Sequence, residues 1–431
     1  MATNEIVNEI RQNVLSFFKN NYIKCLDALI KAEDSKLGEI YQQKTNFKDY
    51  IRKTDILILT ANKFETNILH KSINDTTKKN IMQCNYKFHD IDYDVYFFQW
   101  GQYYCAHVMA LSTGSNTING SEDMVRMMFK IKEFNPLAVL SFGICFGINH
   151  ITQTLGDIII SNKVYSYGVG IKIKNGKIEI SDDNNFKVSE NVCNKIRNLL
   201  RINKLSDRNG EFFKHYITGE AVVSNEEFKQ TIIKEVAINN DILAGEMEGY
   251  GIFKECEKYG KTGDGARPVP CIIVKSICDW GAEKNGFLDR KNNDCLDDLT
   301  DEHKTIDKDI KTYYINKDIK PPVNIETIIK DSIQAYAAQR AFNTCDKIFE
   351  SENMVFGVNP YNYICNKMRE LHSKYDKGID DAVLRRVLTE KYNYLSNTDI
   401  NDIISELIRQ NEILDKDETG FYKYIERAAI R

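Results

Sequence analysis

Five short apolar runs constrain this chain more than anything else in it. They lie at residues 55–60, 136–148, 155–161, 217–224 and 269–280. Each is short and nearly continuously apolar, the texture of a strand buried on both faces of a parallel or mixed sheet. Helical patterns separate them, the first opening at Ala61-Asn62-Lys63-Phe64-Glu65. Two hairpins extend the strand count: 93–100 with 103–111 around Gly101-Gln102, and 169–180 turning at Asn175-Gly176. A helix over 325–349, with its Ala335-Tyr336-Ala337-Ala338 face, is expected to return to the sheet.

Sheets of this kind hold ligands beyond the carboxyl ends of their strands, so polar residues there are the candidates for function. In Leu243-Ala244-Gly245-Glu246-Met247-Glu248-Gly249-Tyr250, two carboxylates sit where an apolar strand end passes into a helix. Glu is rarely buried without a partner, so the pair points to a polyhydroxylated or cationic ligand. The alternative is a capped helix start with exposed acids. The run at 269–280 also ends on an acid, Asp279. Ser112-Thr113-Gly114-Ser115-Asn116-Thr117 opens another helix and reads either as an anion or sugar-hydroxyl cradle or as a plain cap. Gly143 and Gly147 allow a bend or a close approach of backbone to a ligand.

With 431 residues, 42% of them hydrophobic, the chain can build a large core and more than one domain. A net charge of −4 gives no reason to expect a protein that coats a polyanion. Without a basic-then-apolar leader or a run of about 18 apolar residues, a soluble, cytoplasmic protein with no membrane association is expected. Eleven cysteines, an odd number without close pairs, read as reduced core residues rather than a disulfide framework or zinc site. No metal or cofactor is expected.

The flanks differ from the middle. Ile6, Ile10, Val14, Phe17, Phe18, Cys25, Leu26 and Leu29 fall at helical spacing, so 1–50 reads as a helical arm, used for oligomerisation or packed on the main domain. That domain spans 51–350. Within it, 284–322 is charge-rich and aperiodic and reads as an insertion, a mobile lid or a disordered loop. Residues 356–431 read as three helices and a two-stranded wing, a winged-helix-like accessory domain. They hold 12 Lys+Arg against 13 Asp+Glu, and the would-be recognition helix carries Asp399, Asp402 and Glu406 against Arg409. DNA-reading faces are basic, so a protein partner is expected here and nucleic acid is not.

Residues 54–349 resemble the nucleoside phosphorylase/nucleosidase family, which includes the methylthioadenosine/adenosylhomocysteine nucleosidases. Five motifs in the family's order carry the likeness: Thr60-Ala61 with Glu65, the glycine-rich strand end from Leu140 to Gly147, the Gly156-Asp157 strand, Glu246-Met247-Glu248, and Ile277-Cys278-Asp279. Lys284-Asn285 and the Ala335-Tyr336-Ala337-Ala338 helix are closer to a branch fused to accessory domains. The resemblance implies an α/β three-layer sandwich around a central mixed, partly barrel-like sheet, and a homo-oligomer that completes its pockets across an interface.

It also implies a purine N-ribosidase, and it assigns roles. Asp279 would give a proton or hydrogen bond to the leaving base, with burial raising its pKa. Glu65 would orient and deprotonate the attacking water. Glu248 would grip the ribose 2′- and 3′-hydroxyls beside Glu246, and Met247 would pack under the sugar. Gly143, Val222, Val223 and the Ser112-Thr113-Gly114 segment would line the pocket. Val222 stands where the nucleosidases usually have a stacking aromatic, which leaves Trp280 or Phe142 to hold the base. Ile144 replaces a small polar residue. The phosphate-binding arginines of bacterial phosphorylases have no match, which favours hydrolysis over phosphorolysis.

Lys63, Arg126, Lys163 and Lys275 are the cations available for a nucleotide's phosphates. Family members fused to extra domains look like antiviral-defence effectors that destroy adenine nucleotides. The expected reaction is therefore hydrolysis of the N-glycosidic bond of an adenine nucleotide or nucleoside, ATP or AMP among them, to adenine and ribose or ribose phosphate. The alternatives are a purine nucleoside phosphorylase, a methylthioadenosine/adenosylhomocysteine nucleosidase, and a non-catalytic nucleoside sensor.

Overall fold

The computed structural model describes residues 2–424 apart from 34–36, 112–119, 132–133, 168–170, 175–176, 181–184, 203–212, 220–228, 231, 235–241, 263–268, 282–300, 320–323, 352–354, 361, 365–366, 368–378, 392–396, 410–412 and 415–420. The chain opens with α1 (Ala2–Ala32), α2 (Leu37–Ile40), β1 (Tyr41–Gln43) and α3 (Phe47–Ile51). Then come β2 (Ile56–Thr60), α4 (Lys63–Thr77), β3 (Ile81–Phe88), β4 (Ile91–Trp100), β5 (Tyr103–Met109) and α5 (Ser121–Phe129). The central stretch holds β6 (Ala138–Gly147), β7 (Ile158–Ser166), the hairpin β8 (Ile171–Lys174) and β9 (Lys177–Ile180), β10 (Asn185–Lys187), α6 (Glu190–Ile202) and β11 (Phe213–Thr218). It continues with β12 (Ile242–Glu246), α7 (Gly249–Thr262), β13 (Cys271–Asp279), α8 (Asp301–Asn316) and α9 (Ile325–Phe349). Near the C-terminus lie β14 (Ile379–Asp380), α10 (Asp381–Lys391), α11 (Asn397–Arg409), β15 (Ile413–Leu414) and β16 (Phe421–Tyr424).

Eleven strands form one mixed sheet in the order β1-β3-β4-β5-β2-β6-β12-β11-β7-β10, with β13 pairing both β6 and β7. That double pairing closes β6, β12, β11, β7 and β13 into a ring, a barrel-like core within an α/β fold. β2, β6 and β13 lie side by side and parallel, with β2 buried throughout and β13 buried up to its last residue. Their carboxyl ends therefore emerge together. Around this sheet α1, α4 and α9 pack against one another, and the small residues Ala335, Ala337, Ala338 and Ala341 let α9 approach closely. α5 packs on α7, where the rings of Phe129 and Tyr259 stack at 4.2 Å.

Three features depart from the sequence reading. Tyr41–Gln43 is a strand that extends the sheet by pairing parallel with β3, so part of 1–50 belongs to the main body. Residues 301–316, read as part of an aperiodic segment, are a helix: Ile306, Ile310, Tyr313 and Tyr314 are all buried at i, i+4, i+7 and i+8. The Asp and Lys residues between them masked that stripe, and Tyr313 donates a hydrogen bond to Asp27 in α1. The strand from 155 starts late, because 154–157 forms a turn in which Asp157 accepts from the Thr154 N–H at 2.7 Å. The 112–117 segment, Val222, Val223, the Asn175-Gly176 turn and 284–300 lie outside the described residues. Among the described residues no helix is long and apolar enough to cross a membrane.

The C-terminal elements build a separate small cluster. β14, β16 and β15 form a three-stranded antiparallel sheet. Ile364, Ile379, Leu384, Leu388, Ile400, Ile404, Leu407 and Tyr422 are buried together beside it.

Candidate active site

At the β2–α4 junction Asn62 caps the helix by accepting from the Glu65 N–H, and Glu65 reaches back to the Asn62 N–H, a reciprocal capping box. Glu65 does more than cap. One carboxylate oxygen accepts from the Ala61 and Asn62 N–H groups at 2.6 and 3.1 Å, the other from the Ile144 N–H of β6 at 2.8 Å. Gly143 makes this possible: its φ is +149°, and a Cβ there would stand 1.9 Å from the Glu65 oxygen. Glu65 is 1% exposed, and burial pushes its pKa up to about 7. Lys275 and the N–H donors oppose that rise and Glu248 adds to it.

The β12–α7 junction supplies the second pair of acids. Glu246 ends the strand and accepts from the Glu248 and Gly249 N–H groups, each at 2.9 Å, so it caps α7 from within the core. Lys275 of β13 places its ammonium 3.1 Å from Glu246 and 2.6 Å from Glu248, and all three side chains are buried. Burial works against ionisation of Glu246, but Lys275, the Thr218 hydroxyl and the two N–H donors outweigh it and hold that carboxyl below its usual range. Glu248 moves the other way, raised by burial and by the Glu246 charge against the pull of Lys275. Burial also opposes the Lys275 charge, but Glu248, Glu246 and Glu65 prevail and keep the amine protonated. From α5, the Ser121 hydroxyl donates to the Glu248 carbonyl at 2.9 Å and pins the turn.

Asp279 stands half-buried at the carboxyl end of β13, less enclosed than the three glutamates. It accepts from the Gly281 N–H at 2.8 Å, with the Cys278 thiol 3.4 Å away.

These junctions open on one cavity of about 180 Å³. Glu65, Glu246, Met247, Glu248 and Asp279 line it, together with Ala61, Asn62, Ile144, Cys145, Phe146, Gly245, Cys278 and Gln334. Gly143 lies behind Glu65 rather than in the lining. Trp280 does not line the cavity: its ring covers Gly147 and its carbonyl accepts from Lys229. Phe142 does not line it either, and its ring meets Trp100 edge-on at 6.5 Å. The aromatic in the lining is Phe146, whose ring lies against Gly245. Its position one residue before Gly147, at a strand's carboxyl end, was the signal available in the sequence.

The candidate phosphate cations are mostly engaged elsewhere. Lys275 is held by Glu246 and Glu248, Arg126 by Glu122, Asp123 and Glu255, and Lys163 sits over the Tyr165 ring. Lys63 is exposed in the first turn of α4, next to Asn62. Among the described residues no group of His, Cys, Asp and Glu is placed to hold a metal ion. The arrangement as a whole offers a buried carboxylate near neutrality, a carboxylate fixed by a lysine, and a less enclosed acid, all facing one small, partly apolar space. It suits hydroxyl recognition together with proton transfer.

A death domain-containing ATP nucleosidase of Amphimedon queenslandica is 26% identical over 205 residues, 43% of this chain and 36% of the relative. The ATP nucleosidase Cap17 of Escherichia coli (strain KTE188) is 23% identical over 197 residues, 40% of this chain and 36% of the relative. The matched stretch thus spans about a third of the length of these curated relatives. Among solved structures, futalosine hydrolase of Helicobacter pylori strain 26695 aligns with a TM-score of 0.47 at 13% identity, over 69% of this chain and 99% of that one. The methylthioadenosine/S-adenosylhomocysteine nucleosidase of Neisseria meningitidis aligns at 0.44 and 13%, over 69% and 99%. The phosphorylase superfamily model matches residues 55–305, more than half of the chain and every glutamate and aspartate of the site, so the protein belongs to the phosphorylase superfamily.

Proposed function

We propose that the protein hydrolyses the N-glycosidic bond of an adenine nucleotide or nucleoside, giving adenine and ribose or ribose phosphate. The observation that carries this reading is the meeting of Glu65, Glu248 and Asp279 on one cavity. In the transition state the sugar becomes oxocarbenium-like and negative charge builds on the base. Asp279 hydrogen-bonds or protonates the base as the C1′–N bond breaks and its electron pair moves to the purine. Glu248, fixed by Lys275, accepts from the ribose hydroxyls. Water attacks C1′ and passes its proton to Glu65. A carboxylate has about four acceptor positions, and the three N–H donors on Glu65 leave one for that water. A base titrating near neutrality suits the task.

No Lys or Arg stands among the described lining residues, and Lys275 behind them is held by Glu246 and Glu248, which supports water over phosphate as the nucleophile. The relatives named ATP nucleosidases support an adenine nucleotide as substrate. A role as an antiviral-defence effector is part of the same proposal. The apolar lining from Ile144, Phe146 and Met247 favours a second reading, a methylthioadenosine-type nucleoside. Chromatography of ATP, AMP, adenosine and methylthioadenosine after incubation, with and without phosphate, separates the two. Adenine from the nucleotides supports the first reading. Adenine from methylthioadenosine alone replaces it with the second, and intact substrates throughout leave a nucleoside sensor.

We read the rest of the chain as support for that site. Residues 51–350 form the catalytic domain, in a cytoplasmic homo-oligomer with α1 extending the subunit contact. Residues 356–431 form a winged-helix-like domain that docks a protein, a reading supported by helices α10 and α11 packed beside a small antiparallel sheet. Light scattering tests the assembly: a monomer at micromolar concentration would contradict it.

A further inference from the structure

Behind Glu65 runs a buried chain of hydrogen bonds that the proposed chemistry does not use. The Tyr41 hydroxyl meets His70 Nδ1 at 2.8 Å, His70 Nε2 meets His107 Nδ1 at 2.9 Å, and His107 Nε2 meets Thr60 Oγ1 at 2.9 Å. Thr60 Oγ1 then meets Thr66 Oγ1 at 2.7 Å. The chain links β1, α4, β5 and β2, and its two histidines are fully buried. A neutral imidazole donates from one nitrogen and accepts at the other, so from Tyr41 to Thr60 the bonds all point one way or all the other. Burial enforces that neutrality, driving His107 down to about 3 and His70 well below its usual range.

The far end of the chain is where it matters. Thr60 is the last residue of β2 and Thr66 follows Glu65 in α4. Their hydroxyl bond therefore spans the Ala61-Asn62 turn, the same turn whose two N–H groups hold the Glu65 carboxylate. Helix capping fixes Glu65 from the front, and His107 braces Thr60 from β5. We propose that Thr60, Thr66 and His107 are positioning residues for Glu65, holding the Ala61-Asn62 turn so that the carboxylate stays dry and aimed into the cavity. The catalytic consequence rests on the hydrolase reading above. The structural consequence does not.

The test compares wild type with His107→Leu, which removes both bonds, His107→Gln, which can keep a donor and an acceptor, and Thr60→Val. Carbon-13 NMR of the Glu65 carboxyl is the readout that needs no turnover. In folded His107→Leu and Thr60→Val, water reaches the loosened turn and the midpoint falls toward an ordinary glutamate, while His107→Gln keeps it near the wild-type value. With a substrate, kcat falls by about tenfold or more in the first two, KM changes little, and His107→Gln recovers most of the rate. A His107→Leu/Thr60→Val double variant is no worse than the weaker single, because both cut one chain. Glu65 midpoints that agree in all folded variants overturn the proposal. If no variant but His107→Gln folds, wild-type imidazole N–H signals decide: two protected, non-titrating ring protons between about pH 5 and pH 8 are required, and titrating rings overturn it. Absence of base release by wild type would end the hydrolase reading and leave the carboxyl titration to judge the brace.

Discussion

The charge on Glu65 should make the protein less stable as its site becomes competent. Burial lifts this carboxyl from about 4.5 when unfolded to about 7 when folded. The native state therefore binds the extra proton between those values, and stability falls as pH rises through them. The full cost of the folded carboxylate is about 3 kcal/mol, of which about 2.5 kcal/mol develops between about pH 5 and pH 8. Asp55, also raised to about 7 by burial, falls in the same window and would obscure a simple pH series. Glu65→Gln separates them. The amide places one NH2 against backbone donors, a penalty that does not change with pH, whereas the charge is gone. Urea unfolding of wild type and Glu65→Gln across that range should show the stability difference shifting by about 2.5 kcal/mol in favour of the variant as pH rises. Turnover by wild type should rise over the same range, since the base must be ionised to accept a proton. A stability difference that stays flat with pH would refute the reasoning, because Glu65 would then titrate alike in folded and unfolded chains.

Asp279→Asn should fold normally and lose on the order of 10²–10⁴-fold in kcat, since an amide cannot deliver a proton to the leaving base; a near-normal steady-state rate would remove Asp279 from that role. Lys275→Met strands two buried carboxylates, Glu246 and Glu248. It should destabilise the fold by about 3–5 kcal/mol, read as a lowered urea midpoint, and a loss below 1 kcal/mol would mean that the cluster is hydrated. Removing residues 368–431 keeps the Asn359 and Asn362 bonds to Asp55. It should change the turnover rate or lose a partner in a pull-down if the C-terminal elements restrain or recruit activity, and unaltered kinetics and partners would make them passive.

Much of this was legible in the sequence because buried strands and strand-end acids leave local marks. The apolar runs around β2, β6 and β13 and the Glu246-Met247-Glu248 junction could be read directly, since no neighbour was needed to interpret them. Lys275 carries its own signal: a lysine flanked by Ile273, Val274 and Ile277 must have a buried partner. Phe146, rather than Trp280 or Phe142, was only partly legible: its place at the strand's carboxyl end marks it, but β6 is buried on both faces and alternation does not say which ring meets the cavity. Gln334 and the His70–His107 pair depend on how α9 and β5 lie against the β2–α4 turn. No spacing within one segment encodes that.

The central claim is that Glu65, Glu248 and Asp279 act together to cleave a purine N-glycosidic bond with water. Proton NMR of ATP or AMP incubated with the purified protein, with and without inorganic phosphate, tests it most directly. Free adenine and a ribosyl product with a free anomeric hydroxyl are expected, formed at the same rate in both tubes. Base release only with phosphate, together with a ribose 1-phosphate signal, or no release at all from any adenine nucleotide or nucleoside, would contradict it.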